Sequence, residues 1–159
     1  MALLQGLSRR DLLVAVGMVL GVNLVGAAPA FAFGAGTDWI DRPWFYPPEI
    51  AFPVVWTLLF TLLGVSLFLV WRQGPDRRPV RVAVAAFGVQ LSLNVLWTPV
   101  FFCLQRPDLG LAVIVALWFA IVGMIAAFDR VDRRAAALQV PYLLWVSFAA
   151  VLNYAIYTG

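Results

Sequence analysis

The chain of 159 residues has no histidine and no lysine, and Cys103 is its single cysteine. Without histidine, a Ser-His-Asp triad, a Cys-His dyad, a His-ligated metal and a His-ligated haem are excluded. Without lysine, no retinal or pyridoxal Schiff base can form. A disulfide within the chain is impossible, and Cys103 reads as a packing residue. Charge is also scarce: 12% of residues are charged, against about a quarter in ordinary soluble domains. The long apolar runs carry no Asp, Glu or Arg away from their ends, so the mid-membrane relay of a proton-coupled transporter is missing. No metal site and no required cofactor are expected.

What is present is apolar and aromatic. Hydrophobic residues make up 64% of the chain, with 7 tryptophans and 12 phenylalanines. Five apolar stretches, at about 12–33, 50–71, 80–104, 109–128 and 135–157, are each long enough at about 1.5 Å per residue to cross a hydrocarbon core about 30 Å thick. In lipid each backbone polar group must be satisfied within its own segment. The expectation is an all-α membrane protein, one domain over residues 1–159 built as a bundle of five transmembrane helices. Ser8-Arg9-Arg10-Asp11-Leu12-Leu13 resembles a twin-arginine export signal, but the run that follows is longer than the 7 to 15 residues of a signal core, so an uncleaved first helix is expected.

Arginine placement sets the orientation. Arg9, Arg10, Arg72, Arg77, Arg78, Arg81, Arg130, Arg133 and Arg134 fall on one side of the expected membrane, and only Arg42 and Arg106 on the other. The positive-inside rule places the N-terminus in the cytoplasm and the C-terminus outside. The net charge of +3 is then a topological signal, and no nucleic-acid partner is expected.

The aromatics and amides are periodic. Gln90, Asn94, Trp97 and Phe101 share one face of the third helix; Tyr142, Trp145, Ala149 and Asn153 share one face of the fifth; Phe52, Trp56 and Phe60 do the same in the second. Two readings are open from the residues alone. The stripes pack and hydrogen-bond against one another, since amides are common glue between helices in lipid. Alternatively they line a pocket for a flat apolar ligand. Before the second helix, RPWFYPPEIAFPVVW packs four prolines and five aromatics into fifteen residues, which suits a stiff loop at the water boundary.

Three motifs carry a resemblance: Arg42-Pro43-Trp44-Phe45-Tyr46-Pro47-Pro48 with Phe52-Pro53-Val54-Val55-Trp56; the segment from Gln90 to Phe102; and Val140-Pro141-Tyr142-Leu143-Leu144-Trp145 with Leu152-Asn153-Tyr154. Together they resemble the tryptophan-rich sensory protein and translocator protein family (TspO/MBR), over most of the chain from about Trp39 to Tyr157. The resemblance implies a five-helix bundle that binds porphyrins and, in animal members, cholesterol and benzodiazepine-type or isoquinoline drugs. It matches Trp56 and Trp145 to two tryptophans implicated in porphyrin binding and its light-dependent degradation. Asn94 matches a ligand-contacting amide, Phe52 an aromatic wall and Ala149 a position where bulk affects fit, while Trp39 and Trp44 fall in a loop over the pocket mouth. Two functions follow as expectations: binding of a tetrapyrrole or similar molecule so as to regulate or transport it, or light-dependent porphyrin degradation with Trp56 and Trp145 as donors. The cholesterol motif is incomplete, since Val151, Leu152 and Tyr154 are followed by no Arg or Lys, and cholesterol recognition is not expected. The resemblance also implies a homodimer. Gly17-Met18-Val19-Leu20-Gly21 is a GxxxG motif in the first helix, and helix 1 or helix 3 is the expected contact. The expected location is a prokaryotic cytoplasmic membrane.

Overall fold

The computed structural model describes residues 6–159. In chain order the helices are α1 (Arg9–Phe33), α2 (Ala51–Trp71), α3 (Arg78–Thr98), α4 (Pro107–Asp129), α5 (Arg133–Ala137) and α6 (Val140–Thr158). A π-helical turn, Pro99–Cys103, continues α3. Counting α3 with that turn, and α5 with α6, five spans are long and apolar enough to cross a membrane. The chain is an all-α membrane protein.

The start of α1 gives Ser8 and Asp11 of the export-like motif a structural role. The Ser8 hydroxyl accepts from Asp11 N at 3.1 Å and the Asp11 carboxylate accepts from Ser8 N at 3.0 Å. This reciprocal capping box satisfies two backbone donors that the first turn leaves free.

Proline breaks regular α geometry within two of the expected spans. The span expected over 80–104 leaves α geometry after Thr98, because Pro99 has no N–H to offer the preceding turn. The ladder slips by one residue: Leu104 N donates to Pro99 O, five residues back. Gln105, at φ 51°, then turns the chain toward α4. The span expected over 135–157 is interrupted at Leu138 and Gln139. Pro141 cannot donate to the Ala137 carbonyl, so a new helix starts at Val140 and places Pro141 in its first turn, where no N–H is needed.

The helices form a circuit in which α1 packs along α2 and α3, α3 on α4, and α4 on α6. α5 tucks against α2 and α4 and closes one end. In α4 the inward stripe of Gly110, Ile114, Leu117, Ile121, Met124 and Phe128 is buried at three- and four-residue intervals. The α1–α2 crossing depends on Gly64, since a Cβ there would lie 2.5 Å from Val19 Cα. The GxxxG glycines do not share this role: a Cβ at Gly17 or Gly21 would meet nothing within 4 Å. α1 is the least enclosed span, with only Val22 and Pro29 buried.

Candidate ligand-binding site

A cavity of about 690 Å³ lies between α1, α2, α3 and the loop of residues 34–50. That size falls within the range of about 300–1,000 Å³ common to small-molecule sites. Its wall on α2 is Phe52, Trp56 and Phe60, and on α3 and the π-helical turn it is Asn94, Trp97 and Phe102. Trp56 and Phe60 stack at 5.3 Å with their planes 27° apart, as the four-residue spacing on one helix face allows. On α1 the wall is Asn23, Gly26, Ala27 and Ala30, small enough to leave room. A Cβ at Gly26 would come within 2.6 Å of the Phe60 ring, so glycine is what lets that ring lie against α1. Asn23 Nδ2 donates to Val19 O at 2.9 Å and to Thr61 Oγ1 at 3.3 Å, pinning α1 to α2 at the cavity wall.

Behind this wall is a second space of about 20 Å³, lined on α6 by Trp145, Ala149, Leu152, Asn153 and Ile156. It holds about one water at most. Tyr46, Phe52, Trp56, Trp97 and Phe102 border both spaces and form the partition between them. Trp145 meets Trp56 edge to face at 6.5 Å and Phe52 at 6.0 Å, and its buried Nε1 has no hydrogen-bond partner among the described residues. Phe101 is buried, stacks on Trp97 at 4.8 Å and faces the small space only.

The stripes therefore divide. Phe52, Trp56, Phe60, Asn94 and Trp97 line the large cavity, whereas Phe101, Trp145, Ala149 and Asn153 stand behind the partition. Gln90 and Tyr142 border neither space and serve as links between helices. Asn94 Nδ2 donates to the Tyr142 hydroxyl at 2.7 Å, and that hydroxyl donates to Gln90 Oε1 at 2.7 Å. Trp97 Nε1 donates to Asn153 Oδ1 at 3.0 Å, and Asn153 Nδ2 donates to Pro107 O at 2.8 Å. Amides that would be costly to leave unpaired in lipid thus tie α6 to α3 and α4. The two tryptophans expected at the mouth line neither space. Trp39 packs on Phe101 at 5.3 Å and donates from Nε1 to Gly36 O at 3.0 Å. Trp44 is 95% exposed, as suits a ring at the headgroup level.

The TspO/MBR family profile matches residues 13–158. The chain belongs to the TspO/MBR family. Among curated relatives, the tryptophan-rich protein TspO of Chlorobaculum tepidum is 42% identical over 143 residues, covering 83% of this chain and 90% of that protein. The protein of the same name from Archaeoglobus fulgidus is 37% identical over 153 residues, or 92% and 97% of the two chains. The translocator protein of Homo sapiens is 30% identical over 131 residues, or 80% and 78%.

In this TspO/MBR chain the loop side of the large cavity is polar, lined by Thr37, Asp38, Tyr46 and Glu49. Arg42 pairs with Glu49, donates to Thr37 Oγ1 at 2.9 Å and lies 4.8 Å from the centre of the Tyr46 ring. The guanidinium holds the Glu49 carboxyl below the usual carboxylate range, and burial raises the Tyr46 phenol. Residues 37, 42, 46 and 49 are thereby clasped across the proline turn, where Tyr46 N donates to Pro43 O at 3.0 Å and Ala51 N to Pro48 O at 2.9 Å. Sequence reasoning missed this clasp, together with the wall supplied by α1, Thr57, Thr98 and Phe102. For α1 a signal existed: Asn23 is the only amide within the first apolar run.

Proposed function

We propose that this chain binds a porphyrin or another flat hydrophobic molecule in the cavity between α1, α2 and α3, and regulates or moves that molecule within a prokaryotic cytoplasmic membrane. The observation that carries the reading is the cavity itself, about 690 Å³, faced by Trp56, Phe60, Phe52 and Trp97 with Asn94 among them. Large rings give a flat ligand stacking area, and one amide orients it. Relatives named tryptophan-rich sensory protein and translocator protein support a role in sensing or movement.

Protoporphyrin titrated into the purified chain should quench tryptophan fluorescence saturably. Trp56→Phe should weaken binding by about 1–2 kcal/mol, since Trp56 faces the cavity. Trp145→Phe should weaken it less, because Trp145 acts from behind the partition. Equal affinity in the parent and in the double variant would remove these rings from the site.

A second reading, light-dependent porphyrin degradation, is favoured by the edge-to-face contact of Trp56 with Trp145 at 6.5 Å, which lets one indole replenish an electron taken from the other. A defined product formed under illumination, and lost in Trp56→Phe, would select this reading over binding alone.

Orientation and assembly belong to the same proposal. The arginine-rich ends Arg9, Arg10, Arg72 to Arg81 and Arg130 to Arg134 face the cytoplasm, and two copies meet through α1 or α3. Open space at Gly17 and Gly21 on α1 suits a close contact between copies. Crosslinking in native membranes that gives monomer alone would reject the dimer.

A further inference from the structure

Asn94 has two polar atoms with different tasks. Nδ2 is taken by the Tyr142 hydroxyl at 2.7 Å. Oδ1 has no hydrogen bond among the described residues, and Asn94 lines the large cavity. A ligand therefore meets an acceptor at this point. What fixes that choice lies deeper: the Tyr142 hydroxyl accepts from Asn94 because it donates to Gln90 Oε1, also at 2.7 Å. Gln90 and Tyr142 are fully buried and touch neither space.

The same three side chains can be joined in the opposite direction. If both amides turn by half a revolution, Gln90 Nε2 donates to the Tyr142 oxygen and the hydroxyl donates to Asn94 Oδ1. Asn94 Nδ2 then faces the cavity as a donor. Both hydrogen bonds are kept. The observed direction leaves Gln90 Nε2 buried without a partner, and the reversed one leaves Oε1 there instead. Each direction strands one atom of the Gln90 amide, so neither is fully satisfied.

We propose that Gln90 and Tyr142 are positioning residues that set, through the Tyr142 hydroxyl, whether the cavity offers a hydrogen-bond acceptor or a donor at Asn94. This rests on the cavity being a ligand site. It specifies the ligand class: flat molecules with one edge N–H in the observed direction, and flat molecules with one edge carbonyl when the chain reverses.

Three near-isosteric probes separate these cases: carbazole, with an N–H; 9-fluorenone, with a carbonyl; and fluorene, with neither. Binding to the full chain in lipid nanodiscs is read by equilibrium dialysis against empty discs. The parent should hold carbazole about two- to tenfold more tightly than fluorenone, the worth of one net hydrogen bond. Gln90→Leu removes the acceptor of the Tyr142 O–H, which then turns to Asn94 Oδ1. The preference should invert toward fluorenone, with fluorene unchanged, although position 90 touches no ligand. Gln90→Met should do the same, and Tyr142→Phe should erase the preference. In the ligand-free protein the Asn94 side-chain amide resonances should shift in Gln90→Leu. Parent-like preference in Gln90→Leu and Gln90→Met, with fluorene bound normally, would overturn this inference and leave the cavity reading standing. Failure of all three probes to bind above empty discs would overturn both.

Discussion

Near α5, α2 turns Leu63, Ser66, Leu69 and Val70 into the bundle, and all four are buried; near the loop the same helix turns Phe52 and Trp56 inward, and both are only half-buried. At the α5 end, Ser66 Oγ donates to Ala135 O at 3.1 Å, and Gln139 Nε2 donates to Ser66 Oγ at 2.6 Å and to Leu62 O at 3.2 Å. Aliphatic side chains fill the gaps, and one polar knot joins α2 to the break between α5 and α6. At the loop end, rings of α2 and α6 face each other, at 6.0 to 6.5 Å between centroids for Phe52–Trp145 and Trp56–Trp145. Rings of that size hold helices apart where aliphatic chains would let them close. One bundle is thus sealed at one end and propped open at the other by the choice of side chain along a single helix.

The contrast is most sharply tested by adding bulk. At Gly64 a new side chain meets the backbone of Val19, which cannot move without separating α1 from α2. Gly64→Leu should cost about 3 kcal/mol or more and show as loss of folded protein on heating in detergent. At Gly26 the obstacle is the Phe60 ring, which borders open space, so Gly26→Ala should fold near normally and shrink the cavity. Removing bulk should be next in size. Leu63→Ala, at a fully buried position, should lower stability by about 2–5 kcal/mol, whereas Phe52→Ala should cost about 1 kcal/mol. Equal losses would mean that the open end is packed like the closed one. Ser66→Ala removes both the bond to Ala135 O and the bond from Gln139, while Leu62 O still accepts from Gln139, and about 1–2 kcal/mol should be lost.

The smallest effect should come from acid. Arg42 depresses the Glu49 carboxyl, so the clasp is complete at neutral pH. It persists through the range where a free glutamate takes up its proton, and opens only as pH falls through the lowered value. Porphyrin uptake followed by stopped-flow quenching should quicken in that acid range, and Glu49→Gln should remove the pH dependence. An acid effect that survives in Glu49→Gln would place the titrating group elsewhere.

Much of the fold could be read from residues, because a bilayer demands about 20 apolar residues per crossing and leaves few other solutions. The exceptions, at Pro99 and Pro141, arose where apolar length was read without regard for a missing N–H. The site was half legible. Helical spacing correctly grouped Phe52, Trp56 and Phe60, yet it could not say that Gln90 spends its amide on Tyr142, 52 residues away in the chain. Periodicity reports which residues share a face and is silent on what that face meets. It also gave no role to α1, whose small residues carry no aromatic signal and contribute by leaving space.

The shallow seating of α1 bears on how the protein is made. This helix is synthesised before α2 and α3, the helices it packs on. Of its residues only Val22 and Pro29 are buried in the finished bundle, against eight in α2, so its surface is already suited to lipid. With Ser8 and Asp11 satisfying its first turn from within, α1 can persist as a lone span during translation. α2 is different, since the acceptor that Ser66 uses in the finished bundle, Ala135 O, belongs to α5, which is synthesised later. The two spans thus differ in what they need: α1 is largely complete as a lone span in lipid, whereas the buried face of α2 is completed by α5.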